Sequence, residues 1–105
     1  MWRNLKLDSV EIEKLVAEFI VWMPVLPYAK MKVKIYENQS GRFSGTTDLR
    51  IKRKFDSCPE SALGTGNTIE ETLKNTIKCF NDILKEDGFE ELTPEDIEYS
   101  EWSDF

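Results

Sequence analysis

Residues 64–80, "GTGNTIEETLKNTIKCF", together with the residues up to Gly88, carry a full set of helix punctuation and constrain the fold most. Thr68 followed three residues later by Glu71 is a capping-box pattern, in which the hydroxyl satisfies an otherwise unpaired first-turn N–H. Ile69, Leu73, Ile77, Phe80 and Leu84 recur at helical spacing, Lys74, Lys78, Asp82 and Lys85 point elsewhere, and Gly88 suits the left-handed residue that ends a helix. Gly64 and Gly66 invite a phosphate-loop reading. The Gly-x-x-x-x-Gly-Lys-Ser/Thr and Gly-x-Gly-x-x-Gly spacings are both missing, and Glu70 and Glu71 would repel a phosphate. The glycines are therefore read as the turn that leads into the helix.

Upstream, the period changes to two. Met31, Val33 and Ile35 alternate with Lys30, Lys32, Lys34 and Tyr36, and Leu49 and Ile51 alternate with Arg50, Lys52 and Lys54. Each reads as a strand with one buried face. "ENQSGR" between them is turn chemistry, with Gly41 free to take positive φ, so the two strands form an antiparallel hairpin. "ALGTG" is a short third strand. At the N-terminal end, Asp8 and Glu11 resemble a cap pair, and Ile12, Leu15, Val16, Phe19, Ile20 and Met23 fall on one helical stripe. Pro24 and Pro27 stop the pattern. This predicts a first helix over about 9–23. The fold class that follows is α+β, in the order α-β-β-β-α. An antiparallel three-stranded sheet, or a four-stranded one if Ile97, Tyr99 and Trp102 add an edge, carries two helices on one face. Phe19, Ile20, Val33, Ile35, Leu49, Ile51, Leu73, Ile77 and Phe80 are its expected core.

The chain of 105 residues is read as a single domain whose last stretch, 89–105, is an acidic aromatic segment. Thr93 and Pro94 there look like a short helix start. No histidine is present, which excludes His-based triads and the usual zinc sites. "EDGFEELTPEDIE" lacks the alternating pattern of a calcium loop. The expectation is a non-enzyme without metal or cofactor. Cys58 and Cys79 are too few for a disulfide framework, and Cys79 reads as a small core residue. No apolar run reaches the ~18 residues of a membrane span, and the start lacks a signal-peptide core. These features favour a soluble cytoplasmic protein.

The stretch from 30 to 86 resembles HicB-type antitoxins, which have a partial double-stranded-RNA-binding-domain fold. It does so through Gly66, Thr68, Glu70, Glu71, Thr72 and Asn75, which match that family's Gly-x-Thr-x-Glu-Glu-Ala-x-x-Asn helix start except that Thr72 stands for alanine. The resemblance implies a small protein that binds and blocks a toxic partner, without a C-terminal DNA-binding module. The element order is also similar to a full double-stranded-RNA-binding domain. Thr68, Glu70 and Glu71 occupy the place of that family's phosphate-binding lysines, which removes the electrostatic basis of RNA affinity.

Charge is segregated. Residues 28–55 hold eight basic and two acidic side chains, and 86–105 hold nine acidic and none basic, within a net charge of −6. The acidic end supplies the first candidate site, Glu90, Glu91, Asp96, Glu98, Glu101, Trp102, Asp104 and Phe105, where carboxylates steer and aromatics anchor a protein partner. The implied function is an immunity-protein- or antitoxin-like inhibitor of a basic partner such as a nuclease toxin. The alternative is a nucleic-acid-binding module that uses a basic outer sheet face of Lys30, Lys32, Lys34, Arg50, Lys52 and Lys54. An adaptor, or a phage-encoded inhibitor of a host defence protein, would show the same features.

Overall fold

The computed structural model describes residues 2–23, 30–90 and 92–100. Four antiparallel strands, β1 (Glu13–Val21), β2 (Met31–Asn38), β3 (Phe43–Lys52) and β4 (Pro59–Gly66), lie in the order β1-β2-β3-β4. Among the described residues a single α-helix, α1 (Ile69–Glu86), follows them, and a short strand, β5 (Ile97–Tyr99), pairs with β3. Single-turn 3-10 helices occur at Trp2–Asn4 and Pro94–Asp96.

The expected first helix is therefore a strand, and the α-β-β-β-α order is overturned. β1 pairs with β2 from Glu13↔Asn38 to Val21↔Met31, with a bulge between Leu15 and Ala17. The bulge resets the side-chain phase, and two outward positions after it, Ile20 and Trp22, are themselves apolar. Both effects hide the period of two and imitate a helical stripe. Val16, Phe19, Ile20, Val21 and Trp22 are β-branched or aromatic, a strand composition that outweighs the stripe. Ile20, expected in the core, faces out at 53% exposure.

The hairpins follow the expected chemistry with longer strands. Gly41 turns β2 into β3 at φ 83°, and Asn38 Oδ1 accepts from the Ser40 and Arg42 N–H groups at 2.9 and 3.0 Å. β3 begins six residues before Leu49, the first residue assigned to it by alternation. Gly45 and the hydroxyl residues around it conceal that half.

The glycines of β3 and β4 have a packing role. Gly45, Gly64 and Gly66 lie beneath α1, on the face shared with Val33 and Ile35. A Cβ on Gly66 would stand 2.8 Å from Thr72 Oγ1, and one on Gly64 would stand 2.8 Å from the Asn75 carbonyl carbon and closer still to the Thr76 backbone. Gly64 and Gly66 are thus strand residues that let the helix approach, rather than a turn or a phosphate cradle. The helix has rotated to use that floor. Thr72 and Thr76 are fully buried, while Leu73 and Ile77 are half-buried flanks. Each buried hydroxyl donates to the carbonyl four residues back, Thr72 to Thr68 at 2.7 Å and Thr76 to Thr72 at 2.8 Å, so neither is left unpaired.

Both ends of α1 match their sequence signals. Thr68 Oγ1 accepts from Glu71 N–H at 3.0 Å. Gly88 takes φ 69°, with Gly88 N–H donating to Lys85 C=O at 3.2 Å and Phe89 N–H to Leu84 C=O at 2.9 Å, the two bonds of a Schellman ending.

The core is Met31, Val33, Ile35, Leu49, Ile51, Ala62, Phe80, Ile83, Leu84, Leu92 and Ile97, with Phe19, Leu73, Cys79 and Phe89 packed against it. Each large apolar side chain buried here contributes roughly 1.5–3 kcal/mol by removal from water. α1 lies chiefly over β4 and β3 and only lightly over β2.

Candidate functional site

A break in β3 sets the geometry of the charged surfaces. From Thr46↔Leu63 to Arg50↔Ser61, β3 advances two residues more than β4. Thr47, buried in this irregularity, accepts from Ala62 N–H at 3.1 Å and donates to Leu49 C=O at 2.8 Å, which restores the lost ladder bonds. On the other edge β2 pairs with Phe43–Thr47 and β5 with Leu49–Ile51, so the two strands share one side of β3 end to end. Asp48 joins them. Its Oδ1 accepts from Lys32 N–H at 2.8 Å and its carbonyl from Ser100 N–H at 2.7 Å. Tyr99 closes the seam by donating its hydroxyl to Lys30 C=O at 2.9 Å. Burial pushes the Asp48 carboxyl above its ordinary range, against the opposing pull of the Lys32 N–H.

The acidic segment is consequently built into the fold as far as Ser100. Leu92 is 1% exposed and Ile97 8%. Between them the expected Thr93-Pro94 start forms a 3-10 turn. Thr93 is its N-cap, and Asp96 completes the capping box, accepting from Thr93 N–H at 2.9 Å and Thr93 Oγ1 at 2.8 Å. Of the acidic candidates, Glu90 and Glu98 are exposed and Asp96 is half-buried and engaged in that capping box. Glu95, absent from the sequence-based set, is exposed beside them. Glu91, Glu101, Trp102, Asp104 and Phe105 lie outside the described residues.

The basic candidates are brought together only in part. Lys30 precedes β2, with Nζ 5.6 Å from the Trp22 ring centroid. Lys32, Lys34, Arg50 and Lys52 share the outer sheet face, as alternation requires. That face is not a cationic field. Glu18 stands directly opposite Lys34, Asp48 adjoins Lys32, and Glu98 stands opposite Arg50. Arg50 Nε also donates to Ser100 Oγ at 3.1 Å. Asp48 follows from the alternation of β3, whereas Glu18 and Glu98 come from β1 and β5, which alternation in the hairpin alone could not reveal. Lys54 lies elsewhere. Its Nζ sits 4.4 Å from the Phe89 ring centroid and its N–H donates to Asp87 Oδ2 at 3.1 Å, beyond the C-terminus of α1.

Arg53 ties the β3–β4 turn to that helix end. Its guanidinium meets Glu60 at 2.9 Å, Glu86 at 2.8 Å and Asp87 at 3.4 Å. The Glu86 hydrogen bond and the surrounding carboxylates raise its pKa, which keeps the cation charged. Cys58, in the same turn, is exposed, and the Asp56 carboxylate raises its thiol pKa and so disfavours the reactive thiolate. Elsewhere, Val10, Glu11, Ile12, Glu13, Asn38, Gln39 and Ser40 line an open cleft of about 320 Å³.

Among the described residues, no group of three or more acidic or cysteine side chains could hold a metal ion, and no helix is long and apolar enough to cross a membrane. Comparison with models of known protein families, with curated proteins and with solved structures finds no match.

Proposed function

We propose that this chain is a small acidic, non-catalytic binding protein of the cytoplasm, an immunity-protein- or antitoxin-like inhibitor that engages a basic protein partner such as a nuclease toxin. The observation that carries the reading is the anchoring of the acidic segment. Leu92 and Ile97 are buried and Asp96 completes the capping box of the turn between them, so Glu90, Glu95 and Glu98 are presented from a fixed backbone. Preorganisation lowers the ordering cost of association, and a carboxylate surface opposite a basic cleft raises the association rate. The matched charges on the outer sheet face disfavour nucleic acid as the ligand, because backbone neutralisation needs an excess of cations.

The test is capture of a partner on the immobilised full chain, beside a Glu90→Gln, Glu95→Gln, Glu98→Gln variant. The expected partner has a basic isoelectric point and loses its toxic activity on binding. Its association with the variant is slower by about tenfold and less sensitive to salt. Equal association rates for the two proteins, or a partner of acidic isoelectric point, would overturn the reading.

A further inference from the structure

The two edges of the sheet are treated differently. β4 is short on apolar side chains, begins with Pro59, and has its Thr65 carbonyl occupied by Asn75 Nδ2 of α1 at 2.7 Å. β1 contains no proline, and Glu13, Lys14 and the bulge guard only its first half. It is nine residues long, and its regular part, Ala17–Val21, holds one charge, Glu18. Ile20 is exposed, as is Trp22 just beyond the strand at 71%, and Phe19 and Val21 on the inner face are only half-buried because α1 lies over the opposite half of the sheet. A long apolar edge with open N–H and C=O groups is a template for another strand.

We propose that β1 pairs antiparallel with β1 of a second copy of this chain, centred on Phe19, to give a continuous two-fold sheet. The centre follows from self-complementarity. The bulge between Leu15 and Ala17 leaves Ala17–Val21 as the stretch with uninterrupted alternation. A two-fold at Phe19 keeps all five residues paired and sets inward side chains opposite inward ones. The small Ala17 then faces the larger Val21 of the other copy, and the two Phe19 rings meet between the two helices. On the outer face Glu18 lies opposite Ile20 of the other copy. Within each chain Glu18 neighbours Lys34 and Ile20 neighbours Lys32. The dimer row therefore reads Lys34, Glu18, then Ile20 and Lys32 of the second copy. Each Glu18 gains a second cation about two strand spacings (~10 Å) away, over which a lysine side chain can fold across Ile20. A slip of one residue would put inward side chains opposite outward ones. A slip of two toward the N-terminus would carry the bulge into the ladder, and one toward the C-terminus would set Ala17 and Glu18 opposite residues beyond the strand. The proposal does not depend on the acidic segment and stands or falls separately from it.

The first measurement is sedimentation equilibrium of the full chain at about 100 µM, which would saturate a micromolar dimer. The expected mass is twice the 12.3 kDa of one chain. Ile20→Glu, an exposed change that sets like charges opposite each other, should be monomeric with unchanged circular dichroism, and its melting temperature should equal that of the parent diluted until it too is monomeric. The second measurement fixes the register. In a Cys58→Ser background, Glu18→Cys and Ile20→Cys chains are mixed and oxidised. Directly opposite Cα atoms in an antiparallel pair lie within disulfide reach, so the mixture should cross-link several-fold faster than either chain alone. A monomeric parent would overturn the proposal and leave β1 to a strand of a different protein. A dimer that survives Ile20→Glu, or cross-linking no faster in the mixture, would also overturn it.

Discussion

The half of the sheet beneath α1 and the half that ends in β1 are built on opposite principles. Under the helix, Gly45, Gly64 and Gly66 strip the strands of side chains so that Thr72 and Thr76 can seat against backbone, and Phe80, Ile83 and Leu84 reach the core. At β1 apolar side chains stand on both faces, Phe19 and Val21 inward and Leu15 and Ile20 outward, and among the described residues α1 scarcely reaches them. The first arrangement gains its stability from close internal contact. The second leaves apolar side chains, Leu15 and Ile20 among them, exposed. The difference shows that apolar content alone does not mark a core. What marks it is whether another element is positioned to cover the surface.

The sharpest break between the halves is expected from paired phenylalanines. Phe80→Ala should lower unfolding free energy by about 3–5 kcal/mol, as for a fully buried ring, whereas Phe19→Ala on the uncovered half should cost about half as much. Equal losses in urea denaturation would mean that β1 is as much a part of the core as α1. Next comes Gly64→Ala. Its new methyl would collide with backbone of α1 rather than with a flexible side chain, so the helix must lift, at about 3 kcal/mol. Leu63→Thr, one residue away on the outer face, should stay within about 0.5 kcal/mol. A tolerated Gly64→Ala would show that the helix seat is loose. Third, Trp22→Ser should barely change the melting temperature of the chain. A drop of several degrees would place Trp22 inside the fold rather than on a contact surface.

The smallest effect concerns the seam between β2 and β5. A carboxyl whose folded pKa lies above its unfolded value binds more protons in the native state. Asp48 therefore destabilises the fold as pH rises from its unfolded pKa of 3.8 through the raised folded value. Asp48→Asn keeps an acceptor for Lys32 N–H and removes the charge. It should be more stable than the parent at neutral pH by less than about 1 kcal/mol, since the half-buried group is partly screened by solvent. The gain should vanish in acid. A variant less stable at neutral pH would show that the charge on Asp48 strengthens the seam.

Local chemistry made several elements legible. The Thr68 cap, the Gly88 ending, the Gly41 turn and the alternation of Met31, Val33 and Ile35 each depend on residues within a few positions, and each is found where those residues indicate. β1 was illegible because its bulge breaks the alternation and its outward positions are apolar, so a period of two was overwritten by a helical one. The candidate site was read unevenly for the same reason. Lysine alternation located Lys32, Lys34, Arg50 and Lys52 on one face, but two of the carboxylates that offset them, Glu18 and Glu98, arrive from strands outside the hairpin.

By itself, then, the sequence determined the capped helix that follows Thr68, the hairpin turn, the acidic character of the C-terminal stretch and the exclusion of histidine chemistry. Only the tertiary structure decided that residues 13–21 are a strand, that the glycines of the strand holding Gly-Thr-Gly seat a helix, and that Asp96 completes a capping box while Glu90, Glu95 and Glu98 face water. The physical reason is range. Caps and turns are settled by atoms within one turn of chain. The pairing of β1, the approach of α1 to glycine and the neutralising of a charged face are settled by partners tens of residues away, whose identity no local pattern carries.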